Sequence, residues 1–511
     1  MTTPSWRPVD GCPVDFARTW ARYLPERPAL VFGEHSLSYG DLDARADALA
    51  AWLTGPLGLK HGDRVALYAY NHPAFFELLL ACLRTGLVLA PINTRLAARE
   101  VTQLLALAEP ALLVADERCR AVAVEACPAG VHLESVEGLA TRALPPPSPA
   151  ERTAWRTSTW EDTACLLFTS GTTGLPKAAE LPVRQLFWNA VNTQWAWELR
   201  RDDATVLYTP LFHTGAINVL ALPLLLLGGL VVIHDGFSAP AILADSERYH
   251  ASVLFGVPTT FQMLDADPGL ERGFATVRMV VCGGAPLPVS LIQRYRERGI
   301  TLLQGFGMTE VGPNCFYLPR ERAFDKAGSV GRPMPYVQAR VVVGDREAGV
   351  DEVGELCLAG PVVTAGYFRN AEATKKALVD GWFHTGDLAK VDADGFFTIA
   401  GRQKDMFISG GENVYPAEVE VALAGHPAVV ESAVVGMPDE RWGEVGCAFV
   451  VTEKAATEAE LKEFLQERLA RYKVPRRFVL KAELPRNSSG KVVKAALADE
   501  ARTLAAEGRK G

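Results

Sequence analysis

The chain has 511 residues, of which 49% are hydrophobic and 22% charged, and its 52 Lys and Arg face 60 Asp and Glu for a formal net charge of −8. That balance excludes wholesale disorder, which needs low hydrophobicity and a large net charge. Without a long basic run it also argues against binding to nucleic acid through phosphate neutralisation.

At roughly 150 residues per domain the length suggests about three structural units. The segment Met1 to Asp10 is polar and lacks the apolar core of a signal peptide. Arg64–Tyr68 reads as a strand and Pro73–Arg84 as a helix opened by proline. Leu87–Ala90 is a second strand, Ala97–Ala108 a second helix and Ala111–Ala115 a third strand. Short apolar β runs alternating with helical patterns mark βαβ units and a parallel sheet. Between Glu125 and Trp160 the pattern fades, and Leu144-Pro145-Pro146-Pro147-Ser148-Pro149 has linker composition. Ala164–Phe168 then forms a short strand running into a Ser/Thr/Gly-rich loop.

The most apolar stretch, Val219 to Ile233, contains Pro223, Gly228 and Gly229. It is shorter than the about 20 residues of a spanning helix, so it reads as a buried helix running into a buried strand. No integral membrane segment is expected, and peripheral membrane contact stays open. After Gly401 a helix over Pro416–Leu423, strands over Glu431–Val435, Val445–Val451 and Arg476–Leu480, and a capping box at Thr457–Glu460 follow. These about 110 residues suit a separate α+β C-terminal domain beginning near residue 402. Nine scattered cysteines without a Cys-x-x-Cys pair read as structural thiols of a cytoplasmic protein, not as a disulfide frame or zinc site.

Four loops carry chemistry. Thr169-Ser170-Gly171-Thr172-Thr173-Gly174-Leu175-Pro176-Lys177 is an oxyanion cradle in which glycines turn N–H groups inward, hydroxyls add donors and the lysine adds charge. It is not a Walker loop, because Leu175-Pro176 precedes the lysine and no Ser or Thr follows it. Gln304-Gly305-Phe306-Gly307-Met308-Thr309-Glu310 joins two glycines to oxygen ligands suited to Mg²⁺. Phe383-His384-Thr385-Gly386-Asp387, with Gly401-Arg402-Gln403-Lys404-Asp405 after it, offers an acid for ribose hydroxyls. Pro485-Arg486-Asn487-Ser488-Ser489-Gly490-Lys491 presents a lysine on a glycine-containing tip. Taken singly, each of these also suits an ordinary surface turn.

In this order the motifs resemble the adenylate-forming superfamily of acyl-CoA synthetases, aryl-CoA ligases, firefly-type luciferases and peptide-synthetase adenylation domains, closest to acyl-CoA synthetases. The likeness runs from about Leu37 to Lys491. It implies an α/β fold, with a large N-terminal domain of βαβ-type subdomains over residues 1–401 and a small mobile α+β C-terminal domain over 402–511. ATP, Mg²⁺ and CoA are the implied cofactors, with a small-molecule carboxylic acid as substrate.

By the same resemblance Thr169, Ser170, Gly171, Thr172, Thr173, Gly174 and Lys177 match the β,γ-phosphate loop. Gly283, Gly284, Ala285 and Pro286 match the segment lying against adenine and the acyl group, and Gly305, Phe306, Gly307 and Met308 match further ATP-binding positions. Thr309 and Glu310 match the α-phosphate contact and Mg²⁺ site. Asp387 matches the ribose-binding acid and Arg402 its companion, and Lys491 matches the catalytic lysine of adenylation. Lys404 falls on the hinge. Gly410 and Gly411 match a pantetheine tunnel, and Arg95, Trp442, Arg471 and Lys473 match CoA-contacting positions.

His213 matches a histidine beside the substrate carboxylate, and Gly215, Val219, Gly283, Gly305 and Asn314 match acyl-pocket positions. No acidic or basic residue lies between Leu211 and Ile233, apart from His213. An amino acid, whose ammonium would be buried unpaired, is therefore disfavoured, and so is a dicarboxylic acid. Glycine at 215 would lengthen the pocket and favour a fatty or arylalkanoic acid. Ala178 and Glu180 depart from the usual phosphate-loop continuation. Delivery to a carrier-protein phosphopantetheine, or an inactive nucleotide-binding homologue, stands as the alternative.

Overall fold

A computed structural model describes residues 12–142, 144–170, 176–284, 287, 289–486 and 492–508. The alternating segments of the first half build a seven-stranded sheet. Its order is Gly366–Tyr367, Pro176–Pro182, Thr163–Ser170, Val88–Pro91, Arg64–Tyr68, Pro110–Ala115 and His132–Ser135. From Thr163–Ser170 to His132–Ser135 the neighbours run parallel. Pro176–Pro182 returns antiparallel against Thr163–Ser170.

Helix Ala74–Thr85 begins after Pro73 and is buried along its whole length. Arg84 inside it must therefore be paired, since an uncompensated buried charge is strongly destabilising. Its guanidinium donates to Asp15 at 2.8 and 3.0 Å, to Asp47 at 2.7 Å, and to the carboxylate and carbonyl of Asp43 at 2.6 and 2.8 Å. Every N–H is used, and the helix is tied to helix Tyr39–Thr54 and to the N-cap of Phe16–Tyr23.

The region expected as a linker holds more structure than its composition indicates. Strand His132–Ser135 closes the sheet edge, and helices Val136–Thr141 and Pro149–Ala154 are capped by Ser135 and Ser148. Ser148 and Glu151 form a reciprocal capping box, which satisfies two end N–H groups and holds a short helix in a proline-rich stretch.

A four-stranded sheet runs in the order His35–Ser38, Pro28–Phe32, Leu230–Ile233, Ala204–Leu207, and a parallel three-stranded sheet in the order Val253–Gly256, Met279–Cys282, Leu302–Gln304. The apolar Val219–Ile233 segment is a buried helix and strand as expected, but its start is a π-helical turn over Ala216–Ala221, continued by Leu222–Leu227. The wider turn exposes carbonyls that side-chain amides capture. Asn218 O accepts from Asn189 at 2.6 Å and Asn314 at 3.2 Å. Among the described residues no helix is long and apolar enough to cross a membrane.

A six-stranded sheet follows, with Arg346–Glu347, Gln338–Val343, Gly354–Ala359, Trp382–Val391 and Leu378–Val379 in order and Phe397–Arg402 paired to Trp382–Val391. From Phe407 onward a five-stranded sheet carries helices Pro416–Ala424, Glu458–Gln466 and Lys494–Gly508. Its two apolar clusters draw only on Phe407 and later residues. The Thr457–Glu460 capping box is present. All nine cysteines are free thiols, eight of them buried.

Candidate active site

In α/β architectures ligands gather beyond the carboxyl ends of parallel strands. The strands ending at Gly256, Cys282 and Gln304 carry Phe255, Gly283-Gly284 and Gly305–Met308 at those ends. Gly307 is required by close backbone approach, because a Cβ there would lie 2.3 Å from the Gly312 carbonyl oxygen. Phe306 packs edge-on against Phe316 at 5.7 Å.

Thr309 and Glu310 lie in the 3₁₀ turn Thr309–Val311. Gln185 donates to the Thr309 carbonyl at 2.9 Å and the Thr364 N–H to the Glu310 carbonyl at 2.6 Å, which fixes the turn. The Glu310 side chain is buried, and Tyr367 donates its phenolic hydrogen to Oε1 at 2.9 Å. Among the described residues no salt bridge engages Glu310. A buried carboxylate met by a neutral donor is a group that a hard dication suits.

The Lys177 ammonium lies 4.7 Å from the centre of the Tyr367 ring. The short strand Gly366–Tyr367 makes this meeting possible, pairing Tyr367 with Ala179 and Gly366 with Glu180. Burial, followed by the Glu310 charge, pushes the Tyr367 phenol well above the ordinary tyrosine range, so it stays a donor. Sequence reasoning missed Tyr367, since only long-range strand pairing brings it to Glu310. Thr169 and Lys177 are cross-strand partners where the hairpin opens toward the glycine loop. Gly171, Thr172, Thr173 and Gly174 lie outside the described residues, as do Ala285, Pro286 and Lys491. Ser170 ends its strand and pairs with Pro176. Burial raises the half-buried Glu180 carboxyl above its usual range, and a hydrogen bond from Thr163 partly offsets that.

Asp387 and Arg402 are brought together. They are cross-strand partners, and Arg402 Nε stands 2.5 Å from Asp387 Oδ1. Asp387 is 3% exposed while the Arg402 side chain is 45% exposed, so the pair spans from interior to surface. The Asp387 N–H bonds Thr385 Oγ1 at 3.0 Å, and that hydroxyl donates to Leu356 O at 2.7 Å. The left-handed Gly386, φ +68°, makes the turn between them.

At the expected acyl wall, His213 is half-buried and packs edge-on against Phe212 at 4.7 Å. Val219 is a core residue, and the Asn314 amide is committed to Thr193 Oγ1 at 2.6 Å and to the Asn218 and Val219 carbonyls. A Cβ built on Gly305 would make only ordinary contacts with Val281 and Cys282. The expected lengthening at Gly215 is corrected by Phe255, which was not singled out. A Cβ at Gly215 would lie 3.1 Å from the Phe255 ring and one at Gly283 3.3 Å from it. The ring occupies the space a side chain at 215 would use, and the two glycines admit it.

In the C-terminal region Lys404 is exposed in the turn Gln403–Asp405 after strand Phe397–Arg402. Gly410 and Gly411 have φ +61° and +90°. Gly410 donates to the Trp442 carbonyl at 2.9 Å, and a Cβ on it would come within 2.6 Å of the indole. Arg441 and Arg476 lie 4.9 and 5.6 Å from the Trp442 ring centres. Arg476 was also not anticipated. Lys473 is held by Glu418 at 2.7 and 2.8 Å, while Arg471 and Arg95 are exposed.

Comparison with known proteins identifies the family. Residues 16–368 match the AMP-binding enzyme family and residues 418–491 the AMP-binding enzyme C-terminal domain. The chain is 40% identical over 479 residues to a feruloyl-CoA synthase from Amycolatopsis, covering 93% of this chain and 96% of that one. It is 37% identical to an indoleacetate–CoA ligase from Aromatoleum aromaticum, covering 94% and 96%. Among solved structures, o-succinylbenzoate CoA synthetase from Bacillus subtilis in complex with its acyl-adenylate intermediate superposes with TM-score 0.85 at 29% identity, covering 94% and 97%. ATP-bound MatB from Rhodopseudomonas palustris gives TM-score 0.87 at 32% identity, covering 97% and 100%. The chain therefore belongs to the AMP-binding enzyme family of adenylate-forming proteins, as an AMP-forming acyl-CoA synthetase that uses ATP, Mg²⁺ and CoA.

Proposed function

We propose that this enzyme ligates an aryl-substituted carboxylic acid, arylpropenoic or arylalkanoic, to CoA ahead of an unbranched fatty acid. The observation that carries the reading is the Phe255 ring set between Gly215 and Gly283. A flat aromatic face bounded by glycines favours a planar substrate through offset or edge stacking, worth about 0.5–1.5 kcal/mol beyond area burial. The named activities of the feruloyl-CoA synthase and the indoleacetate–CoA ligase, both acting on aryl-substituted acids, support the same choice.

The N-terminal domain, with Arg402 at its border, holds ATP and the acid in this reading. Lys177 and the glycine loop hold the β,γ-phosphates, Asp387 with Arg402 binds the ribose, and His213 faces the substrate carboxylate. Glu310 with Thr309 holds Mg²⁺, which supplies positive charge to the triphosphate. Tyr367 orients Glu310 and sets the distance between that carboxylate and Lys177. Lys491 touches both the attacking carboxylate and the α-phosphate, offsetting repulsion between two anions as the new P–O bond forms and pyrophosphate leaves.

The C-terminal domain beyond Lys404 then turns about that residue, withdraws Lys491 and brings Gly410-Gly411 to the pantetheine arm. Hinge rotation of this kind is an established class of switching motion. Trp442 stacks on the nucleotide end of CoA, with Arg441 and Arg476 for its phosphates. The thiol sulfur attacks the acyl carbon and AMP leaves. Pyrophosphate release from a panel of acids, measured with CoA, with a holo-carrier protein and with neither, tests the reading. CoA-stimulated release with aryl acids is expected, and a carrier-only response or no release would overturn it.

A further inference from the structure

On the sheet formed by Gly354–Ala359 and Trp382–Val391, three side chains of metal-ligating type converge away from the Glu310 site. Cys357 and His384 are cross-strand partners. Glu355 lies two residues before Cys357, a spacing that returns a side chain to the same face of a strand. Cys357 Sγ is 3.5 Å from His384 Nδ1, and His384 Nδ1 is 2.9 Å from Glu355 Oε2. One ligand atom from each lies within 4.8 Å of the others. Cys357 is buried, whereas the side chains of His384 and Glu355 are 28% and 23% exposed, so an ion has a path in from solvent.

We propose that Glu355, Cys357 and His384 form a binding site for one borderline-soft divalent transition-metal ion, of the Zn²⁺ class, separate from the Mg²⁺ of the ATP reaction. Tetrahedral zinc, with bonds of about 2.0–2.3 Å, sets neighbouring ligand atoms about 3.3–3.7 Å apart. The sulfur–nitrogen separation already meets that. The nitrogen–oxygen pair must open by a few tenths of an ångström as a hydrogen bond is exchanged for two metal bonds, and water takes the fourth position. Thiolate and imidazole select such an ion over Mg²⁺ and Ca²⁺, which prefer oxygen ligands.

Binding proceeds with a defined proton balance. The Cys357 thiol releases one proton to solvent as the sulfur–metal bond forms. The imidazole binds through a lone pair on Nδ1, which requires that its ring proton sit on Nε2. Arg340, cross-strand from Cys357 and stacked on Trp382 at 4.1 Å, opposes a cation here, so the ligand bonds and not the local field must supply the affinity.

The site also reaches the nucleotide-side turn. Glu355 Oε1 accepts from the Gly386 N–H at 3.1 Å, and Asp387 follows directly. Recruiting Glu355 to an ion pulls on that bond, so occupancy weakens ATP binding. This coupling rests on the proposed ribose role of Asp387, whereas the metal site itself does not.

The test uses the whole protein without nucleotide, titrated with Co²⁺ under oxygen-free conditions. A thiolate-to-cobalt charge-transfer band that saturates at one equivalent and is displaced by Zn²⁺ is expected. Cys357→Ser should abolish the band, and His384→Asn and Glu355→Gln should each weaken Co²⁺ binding roughly 10-fold or more. The last two substitutions are at partly exposed positions and keep the test open if Cys357→Ser fails to fold. No band at a large excess of Co²⁺, a band that persists in Cys357→Ser, or unchanged affinity in both other variants would overturn the site. If all these arms succeed and only ATP affinity is unaffected by Zn²⁺, the coupling fails and the site stands.

Discussion

Tyr367 links the turn Thr309–Val311 to the strand Pro176–Pro182, donating its hydroxyl to Glu310 at 2.9 Å while its ring lies 4.7 Å from the Lys177 ammonium. One side chain thereby sets the distance between a buried carboxylate and a cation that the sequence separates widely. Tyr367→Phe keeps the ring beneath Lys177 and removes only the bond to Glu310. A hydrogen bond to a charged group contributes about 1.5–3 kcal/mol, so adenylation should slow roughly 10- to 100-fold, with a higher Mg²⁺ requirement. ATP–pyrophosphate exchange against Mg²⁺ concentration reads this. An unchanged Mg²⁺ profile with only a lower melting temperature would reduce Tyr367 to a packing role.

Asp387→Asn removes the charge that meets Arg402 without changing shape. Arg402 is solvent-accessible, so the fold tolerates the loss of its partner. A weaker ribose contact should raise KM for ATP roughly 10- to 100-fold and change kcat less. A fall in kcat at constant KM would contradict the ribose assignment.

The two half-reactions should separate by mutation. Lys491→Ala should lower acyl-adenylate formation by roughly 10²–10³ and leave thioester formation from supplied acyl-adenylate nearly intact. Gly410→Ala should do the reverse, since its Cβ would meet the Trp442 indole at 2.6 Å and its φ of +61° disfavours alanine. Lys404→Pro should likewise slow the second step more than the first. Single-turnover assays of each half-reaction check all three, and equal losses in both steps would argue against domain rotation.

Stability should fall in alkali. Burial pushes the thiols of Cys82, Cys165, Cys282 and Cys315 up, that of Cys165 to about 12. These groups ionise near pH 9.0 in the unfolded chain. Above that pH the unfolded chain binds fewer protons than the folded one, so unfolding becomes more favourable as pH rises; below it their contribution is fully present. Melting temperature should be level from about pH 7 to 8.5 and decline progressively above about pH 9. A flat or rising profile to about pH 10.5 would contradict the burial of these thiols.

Much of the fold was legible because its signals are local. The strands at Arg64–Tyr68 and Pro110–Ala115, the Pro73 helix start and the Thr457 capping box each follow from a few neighbouring residues. The strand His132–Ser135 was not, because its stability comes from pairing with Pro110–Ala115 and not from its own polar sequence. The same distinction holds for the candidate site. Glu310, Asp387 and Lys177 sit in recognisable sequence motifs, whereas Tyr367, Phe255 and Arg476 gain meaning only from partners distant in sequence. Cys357 was read as an isolated thiol because its two neighbours in the proposed metal site come from i−2 and from the next strand, a spacing that no Cys-x-x-Cys search finds.

The most direct measurement is the ratio of kcat/KM values for CoA-thioester formation with an arylpropenoic acid and with octanoic acid at saturating ATP, Mg²⁺ and CoA. Stacking on the Phe255 ring predicts a preference for the aryl acid of roughly 2- to 10-fold, the ratio that about 0.5–1.5 kcal/mol supplies. Equal or greater efficiency with octanoate would contradict the aryl-acid assignment, and absence of AMP and thioester with every acid tested would contradict ligase activity itself.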